Sequence, residues 1–152
     1  VTTQVRALKV LVSACKEVFP TIPVFAGGPL ASIENQEWFF YEELGIKYII
    51  KGDGEKAVVD LIRKVKEGKE ISNSKYVSYD GYSYINIIEN INNIAFPYRD
   101  FSNNRFSIRR AGESNRQAAM IASRGCPYSC NYCVSGNLKY NNKNYRRKNL
   151  KL

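Results

Sequence analysis

Three of the chain's four cysteines fall within eight positions, in "ASRGCPYSCNYCVSG", residues 122–136. Cys126, Cys130 and Cys133 are separated by three and then two residues. Thiolates bind soft metals and iron–sulfur clusters. A structural zinc site takes four ligands, usually as two pairs. This chain of 152 residues has no histidine, and its remaining cysteine, Cys15, lies far away in sequence. Three thiolates on a four-iron cluster leave one iron without a protein ligand. That iron is open to substrate or cofactor, much as catalytic zinc keeps an open position. The competing reading is a zinc knuckle completed from outside, or a cysteine loop that holds nothing.

The neighbours of the cysteines suit a tight loop. Gly125 can take backbone angles closed to other residues, and Pro127 fixes φ just after the first cysteine. Arg124 brings positive charge that favours thiolates. So few cysteines, three of them crowded together, do not form a disulfide framework. They indicate a reducing, cytoplasmic compartment and metal chemistry or catalysis.

Upstream elements must position this loop. Val5, Leu8, Leu11, Val12, Cys15, Val18 and Phe19 recur at helical spacing over residues 3–19. Cys15 lies on that stripe and reads as a small buried hydrophobe. "IPVFAGG" predicts a strand over Pro23–Ala26, and "ASIENQEWFFYEELG" a helix capped by Ser32 and closed by Gly45. "IKYIIKGDGE" predicts a second strand. "EKAVVDLIRKVKEG" predicts a helix with Ala57, Val58, Leu61, Ile62 and Val65 on one stripe, stopped by Gly68. Strands alternating with helices imply parallel strands joined by right-handed crossovers. Gly27-Gly28 and Gly52-Asp53-Gly54 then sit at carboxyl ends of strands, where open α/β sheets bind ligands. Glu55 opens the next helix.

"SKYVSYDGYSYINI" alternates around Asp80-Gly81, a hairpin signal. Residues 89–117, rich in Asn, Arg and Ser, read as a linker. "QAAMIAS" predicts a buried strand running into the cysteine loop, and "LKYNNKNYRRKNLKL" a polar basic tail, disordered or a cut-off helix. The formal charge is +9, and residues 105–152 hold 11 basic side chains against the single acid Glu113. The favoured reading is a solvated basic surface. An RNA contact through Tyr140 and Tyr145 is the lesser one. No apolar run is long enough to span a bilayer. The chain starts at Val1 and stops at Leu152 in mid-pattern, which reads as a piece of a longer protein.

"RGCPYSCNYC" resembles the signature of the radical S-adenosylmethionine enzymes. The resemblance implies that Cys126, Cys130 and Cys133 bind a [4Fe–4S] cluster and that Tyr132 lies near the adenine of S-adenosylmethionine. It implies that "AAMIAS" is the first strand of a partial (β/α) barrel. It also implies reductive cleavage of the cofactor to a 5′-deoxyadenosyl radical that takes hydrogen from a small-molecule substrate, with an external electron donor. "VFAGGPLAS", "YIIKGDGE" and "FPYRDF" are similar to the cobalamin-binding subgroup, in which a Rossmann-like corrinoid domain precedes the barrel. In that likeness Gly27, Gly28, Gly52, Gly54 and Glu55 line a corrinoid face. With no histidine, this chain cannot ligate cobalt in the way some members do.

The expected fold is therefore α/β in three parts. Residues 1–70 form the C-terminal part of a Rossmann-like, flavodoxin-type parallel sheet of cobalamin-binding type. Residues 71–117 form a β-hairpin and linker, and residues 118–152 the first strand and cluster loop of a truncated barrel. The chain alone is expected to be inactive, because it cannot enclose a radical. The alternative function is a non-catalytic corrinoid- or nucleotide-binding module with a metal-binding cysteine loop.

Overall fold

The computed structural model describes residues 2–33, 35–79, 81–98, 121–128, 130–133 and 145–148, with side chains from residue 5 onward. Asp80, residues 99–117 of the linker, the first part of "QAAMIAS", Tyr140 and most of the basic tail lie outside the described residues.

The chain forms α1 (Thr2–Val18), β1 (Phe25–Gly27), β2 (Tyr48–Gly52), α2 (Glu55–Lys66), β3 (Ile85–Asn86), β4 (Ser123–Arg124) and β5 (Arg146–Arg147). β1, β2 and β3 make a parallel sheet in that order, and β4 pairs with β5 in a small antiparallel sheet. The fold is thus mixed α/β. Among the described residues no helix is long and apolar enough to cross a membrane.

β2 is the central strand, and its consecutive side chains serve opposite faces. Ile49 packs with Val12, Ala26, Ala31, Phe40, Leu44 and Ile46 in the cluster that includes α1. Ile50 packs with Ala57, Leu61 and Val77 in the cluster that includes α2. A run of apolar residues in β2 follows from this, since a parallel strand covered on both faces has no polar side.

Several expectations are corrected. The helix expected over "ASIENQEWFFYEELG" is replaced by a 3₁₀ turn, Leu30–Ser32, and a π-helical turn, Phe39–Glu43. Ser32 does not cap a helix there. Its buried hydroxyl donates to the Gly28 carbonyl and accepts from the Gly52 amide, both at 2.9 Å, so it ties the ends of β1 and β2 together. The π turn closes when the Ile46 amide reaches the Phe40 carbonyl at 2.8 Å, which buries Phe40 and Ile46.

On α2 only Ala57 and Leu61 are buried, while Val58, Ile62 and Val65 lie exposed. The sheet face beneath is narrow, offering Ile50 and Val77. Cys15 is half-buried rather than fully enclosed.

The hairpin set apart from residues 1–70 is part of the sheet. Tyr79 and Tyr82 form one antiparallel bridge, and Gly81 between them has φ of 78°. The incoming arm bridges Ser78 to Ile49 antiparallel, and the outgoing arm, β3, pairs parallel with Lys51 and Gly52. Both arms thus share one edge of β2. Ser78, fully buried, holds them together: its Oγ accepts from the Tyr84 amide at 2.8 Å and donates to the Tyr84 carbonyl at 3.1 Å.

The expected buried barrel strand is also altered. β4 is two residues long and pairs antiparallel with β5, and Ile121 ahead of it is 82% exposed. No barrel closes among the described residues. The basic tail, read as disordered or helical, instead supplies β5 over Arg146–Arg147.

Candidate functional site

Gly125 follows β4 with φ of 83°, a left-handed angle that turns the chain out of the strand and into the cysteine loop. Cys126 comes next. Asn131 and Tyr132 form a turn in which the Cys133 amide donates to the Cys130 carbonyl at 3.0 Å. Cys126 and Cys133 are half-buried, Cys130 is exposed, and no disulfide joins any of the four cysteines. Tyr132 is 93% exposed. Among the described residues, no three His, Cys, Asp or Glu side chains converge into a metal site. Cys130 and Cys133 thus bracket one turn and Cys126 precedes it, without a shared centre among the described residues.

The loop is fastened to the parallel sheet by charge. The "GDGE" turn after β2 places Asp53 at 7% exposure, with Glu55 at the first position of α2. Arg124 Nη1 donates to Asp53 Oδ1 at 2.9 Å and to Glu55 Oε2 at 3.1 Å, while its Nη2 donates to Glu55 Oε1. Arg146 is buried, and its Nη1 donates to Asp53 Oδ2 and, at 2.7 Å, to the Ile88 carbonyl. The Ile88 amide donates to the same Asp53 Oδ2 at 2.8 Å. Both oxygens of Asp53 are thus engaged by guanidinium groups from the far end of the chain.

Electrostatics follow the geometry. Burial pushes the Asp53 carboxyl up, but the Ile88 amide and the Arg146 and Arg124 guanidinium groups outweigh it and hold it below its ordinary range. Hydrogen bonding from Arg124 lowers Glu55 in the same sense, against the opposing effect of burial. Arg124 is raised in turn, chiefly by its hydrogen bonds to Glu55. In this arrangement its guanidinium is paired with two carboxylates.

Comparison with protein-family models, with curated proteins and with solved structures returns no match.

The candidate corrinoid glycines separate into two kinds. A Cβ on Gly52, whose φ is 79°, would stand 2.2 Å from the Asn86 carbonyl oxygen. Gly52 therefore makes room for β3. A Cβ on Gly54 would meet only Ile50, at 3.8 Å. Gly27 packs near Ile50, whereas a Cβ on Gly28 would have nothing within 4 Å. Open space thus lies beside Gly28 and beside Gly54, but not beside Gly52. An open groove of about 1200 Å³ runs past the start of α2, lined by Glu55, Val59, Arg63, Tyr76, Ile88 and Glu89 among others. Its charges are mixed in sign.

Asp53, Arg146 and Ser32 escaped the sequence reading as site residues. The signal for the first was an acid held between two glycines, and for the second an unbalanced excess of arginine downstream. A further buried pair, Lys51 with Glu37 and Ser83, braces the same edge of the sheet.

The donor set fits an iron–sulfur cluster by its chemistry: three accessible or half-buried thiols, no competing imidazole, on one loop. A metal that gathers its own ligands couples binding to local folding, which suits thiols that do not converge beforehand.

Proposed function

We propose that the chain is part of a radical S-adenosylmethionine enzyme, a cluster-binding loop joined to a Rossmann-like domain of cobalamin-binding type. The observation that carries this is the spacing of Cys126, Cys130 and Cys133, three free thiols within eight positions that begin directly after Gly125 at the end of β4. When bound, a [4Fe–4S] cluster with S-adenosylmethionine supplies one-electron cleavage of the sulfonium. Cys126, Cys130 and Cys133 would hold that cluster, and the exposed Tyr132 ring is available to stack on the adenine. β4 corresponds in this reading to the first barrel strand. Gly28 and Gly54, which have open space beside them, are the candidates for a corrinoid face, whereas Gly52 is packed by Asn86 and Asp53 is engaged by arginines. The substrate is a small molecule, the electron comes from an external donor, and the compartment is the cytoplasm.

The test is anaerobic reconstitution of the chain with iron and sulfide. About four irons with matching sulfide, lost when all three loop cysteines become alanine, is the expected result. One tightly held zinc and no iron would reject it. That outcome supports a second reading, a corrinoid- or nucleotide-binding module with a structural metal loop.

A further inference from the structure

We propose that Asp53 is a positioning residue for the cysteine turn: one buried carboxylate fixes both the strand entering the turn and the strand that pairs with it. Arg124 lies two residues before Cys126 on β4, and Arg146 lies on β5. The two strands contact each other through Ser123–Arg147 and Arg124–Arg146 pairing, and the Lys148 amide adds a bond to the Ala122 carbonyl at 2.8 Å. A two-strand ribbon this short is not stable on its own. It needs an outside anchor, and its two inner arginines supply one by meeting on Asp53.

The charges balance within the contact. Asp53 and Glu55 carry two negative charges, and Arg124 and Arg146 two positive ones. Arg146 also satisfies the Ile88 carbonyl, and the Ile88 amide satisfies Asp53. The Asp53–Arg146 pair at its centre is held firmly, because withdrawing either member leaves an uncompensated buried charge. Lys148 extends the anchor along the same segment, donating to the Ile94 carbonyl at 2.6 Å and standing 3.8 Å from the centre of the Phe96 ring. The GDGE turn is thereby a receptor for arginine. Asp53 gives both of its carboxylate oxygens to the ribbon.

The anchor itself does not depend on the function proposed above; its effect on cluster loading rests on that reading. Hydrogen exchange followed by mass spectrometry on the chain tests the anchor without metal. In Asp53→Asn, amides of β4 and β5 are expected to exchange about tenfold faster or more, with a far smaller rise in β1 and β2. An equal rise in both sheets, or none in either, overturns the proposal. Should Asp53→Asn not fold, Arg124→Gln leaves the Arg146–Asp53 contact in place and is expected to loosen β4 in the same selective way. An unchanged β4 there also overturns it. Iron loading is then compared between the wild type and the variant whose ribbon has loosened. Reduced retention in the variant supports positioning, and equal retention rejects it. A wild type that takes up no iron, with selective loosening still seen, refutes the proposed function and leaves the anchor standing.

Discussion

Arg146 and Asp53 meet in a buried ion pair although 93 residues separate them in the chain. The pair joins the last described strand to the turn after the central strand of the parallel sheet. It explains why a segment with so many basic residues is not simply a solvated surface. Two of its arginines answer Asp53 and Glu55, the second of which the sequence reading had assigned to a ligand face.

That contact should make stability sensitive to acid. Asp53, Glu55 and Glu37 all sit below their ordinary carboxyl range when the chain is folded. A carboxyl depressed by folding contributes stability that is complete above its unfolded pKa, near 4, and is lost as pH falls toward the folded value. Urea midpoints followed by fluorescence of Trp38, the chain's one tryptophan, are expected to stay level from about pH 8 to 5 and to drop below about 4. Asp53→Asn should show a shallower drop.

The two glycine turns should respond unequally to alanine. Both Gly28 and Gly52 have positive φ, so each substitution carries backbone strain of roughly 1–3 kcal/mol. Gly52→Ala adds a clash with the Asn86 backbone, and Gly28→Ala adds none. Gly52→Ala should therefore be clearly the more damaging in chemical denaturation and should detach β3. Similar losses in the two variants would contradict the packing described for Gly52.

Ser78→Ala should cost roughly 1–3 kcal/mol, because the Tyr84 amide and carbonyl both lose their buried partner. Ser78→Thr keeps the hydroxyl but adds a methyl group at a site with no exposure. It should fall between wild type and alanine if the hydrogen bonds dominate.

The thiols should divide by position. Alanine at Cys126, Cys130 or Cys133 should each abolish cluster formation after anaerobic reconstitution, read from iron content and visible absorption. Cys15→Ala, on α1 and outside the turn, should leave iron content unchanged. Iron loss in Cys15→Ala alone among the four would point to a different ligand set.

How much of this was legible in the sequence depended on range. α1, α2 and the two strands leading to glycine turns follow from local periodicity, which composition carries directly. The "WFFYEE" stretch looked helical by the same rule, yet tertiary packing of Phe40 and Ile46 drew it into a single π turn. Asp80-Gly81 announced a turn correctly in its neighbours' pairing, but nothing local says that the outgoing arm joins β2 in parallel. Asp53 was hidden for the same reason. Its partners lie 71 and 93 residues downstream, and a single sequence does not say which arginine finds which acid. The cysteine spacing was the most legible feature of all, since ligand identity is written in residue type, whereas the convergence of the sulfurs is not.

The four-residue charge set also constrains how this chain could be recombined. Asp53 and Glu55 lie on one side of any crossover placed between positions 56 and 123, and Arg124 and Arg146 lie on the other. A chimaera cut in that interval inherits its acids from one parent and its guanidinium groups from the second. Two parents that differ at Asp53 or Arg146 would yield hybrids with a stranded charge in the interior, so grafting a foreign cysteine segment onto this sheet requires carrying the acidic turn along with it.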